Sequence, residues 1–133
     1  MGLAAALDLV QASREEEGRR LRDLQQHFFQ AVEAELPDVA VNGSRKWRLP
    51  NNIHLTLPGH DNERLLLQLE AAGILAAAGS ACSASNETPS HVLRALGLSD
   101  EQARASLRFT MGRQTTAKMV DQAATTLVKL SKT

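Results

Sequence analysis

One residue in this chain of 133 could act as a nucleophile on a loop. Cys82 is the only cysteine, set in Gly79-Ser80-Ala81-Cys82-Ser83-Ala84-Ser85. A thiol reacts as its thiolate, and only where a partner can reach it. Small residues on both sides give access and make few packing contacts, which suits a thiol carried on a flexible loop. The competing reading is a buried small hydrophobe, the ordinary state of a free cysteine. Backbone N–H groups at the Thr88-Pro89 helix start, or the cations Arg94 and Arg108, would stabilise a thiolate if folded nearby. Arg108 is the second candidate, in the alternating stretch Leu107-Arg108-Phe109. It either faces outward from a strand or is a planar fork aimed at a carboxylate or phosphate. Arg113, just past Gly112, has a weaker case. His54 and His60 lack a partner at metal-ligand spacing and read as exposed or hydrogen-bonded histidines.

Composition removes several other chemistries. A single cysteine excludes an internal disulfide and a cysteine-rich zinc site, and it suits a reducing, cytoplasmic setting. Fifteen Lys and Arg balance fifteen Asp and Glu, so no basic surplus points to nucleic acid. Only 3% of residues are aromatic, too few for base stacking to be the main activity. There is no Gly-rich phosphate loop, no Ser-His-Asp or Cys-His-Asn set and no flagged carboxylate pair. The start Met1-Gly2-Leu3-Ala4-Ala5-Ala6-Leu7 lacks a basic flank and runs into Asp8, unlike a signal peptide. No apolar run approaches the roughly 20 residues that span a bilayer.

The elements that must position these residues follow from periodicity and punctuation. Leu3, Leu7 and Val10, then Leu21, Leu24, Phe28 and Val32, recur at helical spacing over 3–36, with Gly18 a candidate break and Pro37 the stop. The charge run Arg14–Arg22 reads as a solvated face. Val39-Ala40-Val41 is β-prone and leads into the turn pair Asn42-Gly43. Ile53-His54-Leu55-Thr56-Leu57 alternates as a strand, ended by Pro58-Gly59. Asp61 caps a helix over 62–72 with Gly73 beyond its end. Ile74–Ala78 reads as a buried strand delivering the chain to Cys82, although its alanines also suit a helix. Thr88-Pro89 starts a helix over 89–96 that Gly97 stops. Ser99-Asp100-Glu101-Gln102 is a capping box. Ser106–Met111 alternates as a strand, and Thr115 or Thr116 caps a final helix striped with Met119, Val120, Ala123, Leu127, Val128 and Leu130. One domain over residues 1–133 results, α+β, with a small sheet of three to four strands covered by helices and a long N-terminal helix.

Four stretches carry a resemblance. Arg48-Leu49-Pro50-Asn51, Ala78–Ser85, Pro89–Leu98 and Leu107–Thr116 resemble, in order, the C-terminal part of cysteine desulfurases of the NifS/IscS class, in the class V aminotransferase group. The Cys82 loop and the helix after it are the most specific part. Gly2–Leu7 looks like the family's helix joining its large and small domains, and Val41-Asn42-Gly43 fits its first small-domain strand.

The resemblance implies the small-domain fold of fold-type I enzymes that use pyridoxal 5′-phosphate. It also implies an activity in the complete enzyme. Cys82 matches the cysteine that attacks the sulfur of cofactor-bound substrate cysteine, giving alanine and a persulfide. That sulfur passes to acceptors in iron–sulfur assembly or tRNA thiolation. Arg108 matches the arginine that holds the substrate α-carboxylate. The complete family is homodimeric. The family's cofactor lysine follows a histidine, whereas Lys46, Lys118, Lys129 and Lys132 do not. The expectation is therefore a chain without the cofactor-binding large domain, binding no cofactor alone and inactive until a large domain or second chain supplies it. The alternative is a stand-alone, non-enzymatic persulfide carrier using Cys82. Asn86-Glu87-Thr88 replaces the more usual Leu-Glu-Pro, which leaves the helix start intact.

Overall fold

A computed structural model describes residues 2–79 and 90–133. Cys82 and the Thr88-Pro89 helix start lie outside the described residues. The elements run α1 (Gly2–Glu35), β1 (Ala40–Val41), β2 (Asn52–Thr56), α2 (Asn62–Ala71), α3 (His91–Ala95), α4 (Asp100–Arg104), β3 (Ser106–Thr110) and α5 (Ala117–Ser131). This is the expected α+β arrangement.

The sheet is antiparallel in the order β1-β2-β3. Its two faces follow from the period of two along each strand. Ile53, Leu55, Leu107 and Phe109 turn to one face and are buried. There they meet Phe28 and Val32 of α1, Leu65 and Leu69 of α2, and Val120, Ala124 and Leu127 of α5. The Phe28 and Phe109 rings pack tilted, 5.3 Å between centroids. Asn52, His54 and Thr56 pair with Thr110, Arg108 and Ser106 on the other face. That face is polar, and the candidate site lies on it.

α1 runs unbroken through Gly18, where a break was a possibility from sequence. A mid-helix glycine costs about 1 kcal/mol against alanine, and the Glu17–Arg20 ion pair bridges the position. Only the second half of α1 is built into the core, through Leu21, Gln25, Phe28, Phe29 and Val32. Leu3, Leu7 and Val10 are exposed, so their helical spacing has no partner among the described residues.

Two expectations are corrected. Ile74–Ala78 is not a buried strand: Leu75 is 81% exposed, and a lone bridge joins Ala77 to Arg108. The small alanines bury little area, so Ile74 and Ala76 pack only partly against the core and the one bridge is at Ala77. Asn42-Gly43 does not close a two-residue hairpin, since ten residues separate β1 from β2. Gly43 does take positive φ, but Asn42 turns its amide into a buried polar cluster.

The expected helix over 89–96 is the shorter α3, which opens at Ser90 rather than Thr88 and without a side-chain cap; the other helix signals are local and accurate. The Asp61 carboxylate accepts from Arg64 N–H, and Gly73 at φ +77° closes α2 with Ile74 N–H donating to Leu69. Ser99 and Gln102 form both halves of the capping box. Thr116, of the two threonines considered, caps α5.

Candidate functional site

β3 places Arg108 on the polar face of the sheet, half-buried, directly across from His54 of β2. Its backbone is fixed twice over. Arg108 N–H donates to Ala77 at 2.7 Å and Ala77 N–H donates back at 2.9 Å. The side chain is different: the guanidinium makes no hydrogen bond or ion pair with any described residue. It lines a cavity of about 320 Å³ with Asn42, Arg48, His54, Leu93 and others, and no carboxylate among the described residues contributes to the wall. Arg108 thus lies on the polar face of the sheet at a cavity wall, where both readings, outward residue and fork aimed at an anion, stay open.

The cavity wall is made rigid by a chain of polar contacts. Asn42 Nδ2 lies 2.8 Å from His54 Nδ1 and donates to Ser106 Oγ at 3.3 Å. Asn42 Oδ1 accepts from Thr56 Oγ1 at 2.9 Å. Ser106 Oγ donates in turn to the Gln102 carbonyl at 2.7 Å. With Asn42 donating to Nδ1, the imidazole is neutral and carries its proton on Nε2. Burial, then the Arg108 and Arg48 guanidinium charges, push the His54 pKa down to about 4. A site already holding two cations beside it resists a third.

Arg48 reaches the cavity from the loop between β1 and β2. Its Nη2 donates to the Asn42 carbonyl and its Nε to the Ser44 carbonyl. The same guanidinium stands 5.4 Å from the centre of the Phe29 ring. Nη1 is buried and has no hydrogen-bond partner among the described residues. Burial, then the Arg45 charge, holds the pKa of Arg48 below the usual arginine value. Gln25 of α1 pins the far end of this loop, donating to the Leu49 and Asn52 carbonyls at 3.0 and 2.6 Å.

Gly79 and Ser90 also line the cavity. A Cβ added to Gly79 would lie 3.5 Å from Ser90 Cβ. The residues that bracket 80–89, and hence Cys82 in sequence, therefore stand side by side at the wall.

The remaining candidates are engaged elsewhere. Arg94 forms a two-pronged pair with Asp100 at 3.0 Å, so its charge is already answered. His60 sits between the Pro58 and Ser131 carbonyls, tying the end of β2 to the last turn of α5. Arg113 donates to Ser13 Oγ at 2.6 Å. Among the described residues no His, Cys, Asp and Glu cluster could hold a metal ion, and no helix is long and apolar enough to cross a membrane. Sequence reasoning did not single out Asn42, Arg48 or Gln25. Arg48 was visible as the start of the stretch Arg48-Leu49-Pro50-Asn51 but with no role of its own, and nothing local tells a buried glutamine from an exposed one.

Comparison with known proteins bears on the family of the chain. Residues 1–123 match the family model described as aminotransferase class-V. The cysteine desulfurase IscS of Clostridium botulinum is 37% identical over 134 aligned positions, covering 99% of this chain and 34% of that protein. Dictyoglomus turgidum IscS is 40% identical over 116 positions, covering 87% of this chain and 29% of that one. A NifS-like protein from Rickettsia africae superimposes with a TM-score of 0.82 at 23% identity, over 99% of this chain and 33% of that chain. DndA of Streptomyces lividans gives 0.56 at 29% identity, over 82% and 30%. The chain spans about a third of the length of the curated relatives it matches. It belongs to the class-V aminotransferase family, and the curated relatives named here are cysteine desulfurases.

Proposed function

We propose that this chain is the persulfide-forming and substrate-holding part of a cysteine desulfurase. The observation that carries this reading is the Arg108 guanidinium, which has no hydrogen bond or ion pair among the described residues, in a cavity to which no described carboxylate contributes and whose wall includes the two residues bracketing the Cys82 stretch. Arg108 holds the α-carboxylate of the substrate cysteine through a charge-assisted fork. Cys82, as thiolate, takes the substrate sulfur and becomes a persulfide for transfer to an acceptor protein.

The residues described do not fit pyridoxal 5′-phosphate as a covalent guest. Lys46, Lys118, Lys129 and Lys132 are all exposed, and none lines the cavity that holds Arg108. Residues 80–89 contain no lysine. Cofactor binding, and with it the activation of the substrate, is assigned to polypeptide outside these 133 residues. The dimer contact of the complete enzyme is assigned there too.

The test mixes this chain with a second chain carrying the cofactor-binding remainder of an IscS-type relative and measures alanine released from L-cysteine. Alanine should form, vanish with Cys82→Ala, and require much more cysteine for half-maximal rate with Arg108→Lys. Undiminished alanine formation by Cys82→Ala overturns the proposal. Sulfur loaded onto Cys82 by an intact desulfurase, with no alanine from the mixed chains, would instead favour the carrier alternative.

A further inference from the structure

Opposite Arg108 the sheet places a second group with one donor to spare. His54 and Arg108 are cross-strand partners in a register that runs from Asn52↔Thr110 to Thr56↔Ser106, so their side chains leave the same face as neighbours. Both line the same cavity. The imidazole is held from behind by groups taken out of water, since Asn42, Thr56 and Ser106 are all buried. Asn42 donates to His54 Nδ1 at 2.8 Å, and its own amide is pinned by Thr56 Oγ1 at 2.9 Å and Ser106 Oγ at 3.3 Å. A satisfied buried network of this kind makes the group it holds rigid. With Nδ1 accepting, the neutral ring carries its proton on Nε2. That nitrogen has no hydrogen-bond partner among the described residues.

Resting on the reading of Arg108 as the carboxylate fork, we infer that His54 is a second, neutral donor to the same carboxylate, its Nε2–H aimed by Asn42. The division of labour is physical. Arg108 supplies the charge on a side chain free to adapt, whereas His54 supplies one bond of fixed direction. A bond to an ionised acceptor is stronger than one between neutral groups, so the anion is held by orientation as well as by attraction. Neutrality of the ring matters, because a further positive charge beside Arg108 would be repelled whenever the cavity is empty. Arg48 takes no part in the contact: its Nε and Nη2 serve loop carbonyls and its Nη1 is buried.

Sodium acetate is the probe, exchanged for sodium chloride at constant ionic strength and neutral pH, against the whole 133-residue chain labelled with nitrogen-15. NMR follows the two ring nitrogens of His54 and the side-chain Nε–H of Arg108. Before acetate is added, the ring nitrogen shifts should show the proton on Nε2. During the titration the His54 Nε2 and Arg108 signals should move along one saturating curve. His54→Asn keeps an acceptor for the Asn42 amide and removes the outer N–H. It should raise the midpoint of the Arg108 curve about tenfold, the size of one hydrogen bond to a charged acceptor. A proton on Nδ1, a His54 signal that stays still while Arg108 saturates, or an unchanged midpoint in His54→Asn overturns the inference and leaves the Arg108 reading standing. An Arg108 signal that never responds overturns the inference together with the reading it rests on.

Discussion

Acid should destabilise this fold through His54 in a way that can be isolated. In the unfolded chain the imidazole takes up a proton near pH 6.5, whereas in the folded protein it resists until about pH 4. Between those values the unfolded state binds the extra proton, so stability is fully present above about pH 6.5 and falls as the pH drops toward 4. Without screening, that interval at about 1.4 kcal/mol per pH step amounts to roughly 3.4 kcal/mol. His54 is partly open to solvent, which screens the Arg108 and Arg48 charges, and a loss of about 1.5–2 kcal/mol is the better expectation. For a domain of ordinary stability that is a sizeable share of the whole. The assay is urea unfolding by circular dichroism at neutral pH and near pH 4, on the wild type and on His54→Asn. Asparagine keeps an acceptor for the Asn42 amide but cannot take up the proton. Carboxylates such as Glu17 and Glu35, held below the usual range mainly by their hydrogen bonds to Arg20 and Lys132, titrate alike in both proteins. The difference between the two pH dependences therefore reports His54. Parallel pH dependences, or an imidazole NMR titration with a midpoint near 6.5, would refute the reasoning.

Two further outcomes follow from backbone and loop geometry. Gly79→Ala should lower stability by about 1–2 kcal/mol, because alanine is strained at φ +68°, and thermal unfolding reads this directly. Gln25→Ala should cost about 1–3 kcal/mol by leaving the Leu49 and Asn52 carbonyls short of a donor in a part-buried place; hydrogen exchange should then quicken in the loop between β1 and β2 before it does in β3.

Much of the fold was legible because its signals are local. A capping serine three residues before a glutamine, an aspartate ahead of a leucine stripe, and alternation through Leu107-Arg108-Phe109 each act over one turn or one strand. Ile74–Ala78 misled because an apolar run says nothing of whether a neighbour exists to bury it. Leu3, Leu7 and Val10 show the same limit: spacing proves a face, not a partner. The site was half legible. Arg108 stood out as a cation in an apolar alternation, and the resemblance gave it a role. Arg48, Asn42 and His54 could each be read singly, but their meeting depends on strand register, with His54 opposite Arg108 and Asn42 returning beside it. No pattern within one segment encodes that.

The paired hydrogen bonds between Arg108 and Ala77 give the protein a separable genetics. They use main-chain atoms alone, so any residue but proline at position 108 preserves them. Replacing the guanidinium thus subtracts recognition and leaves the tether intact. Ala77→Pro does the reverse: it removes the N–H that donates to Arg108 and frees the strand edge while the arginine stays where it was. One position carries two duties written in different parts of the residue, and alleles can be chosen to break either.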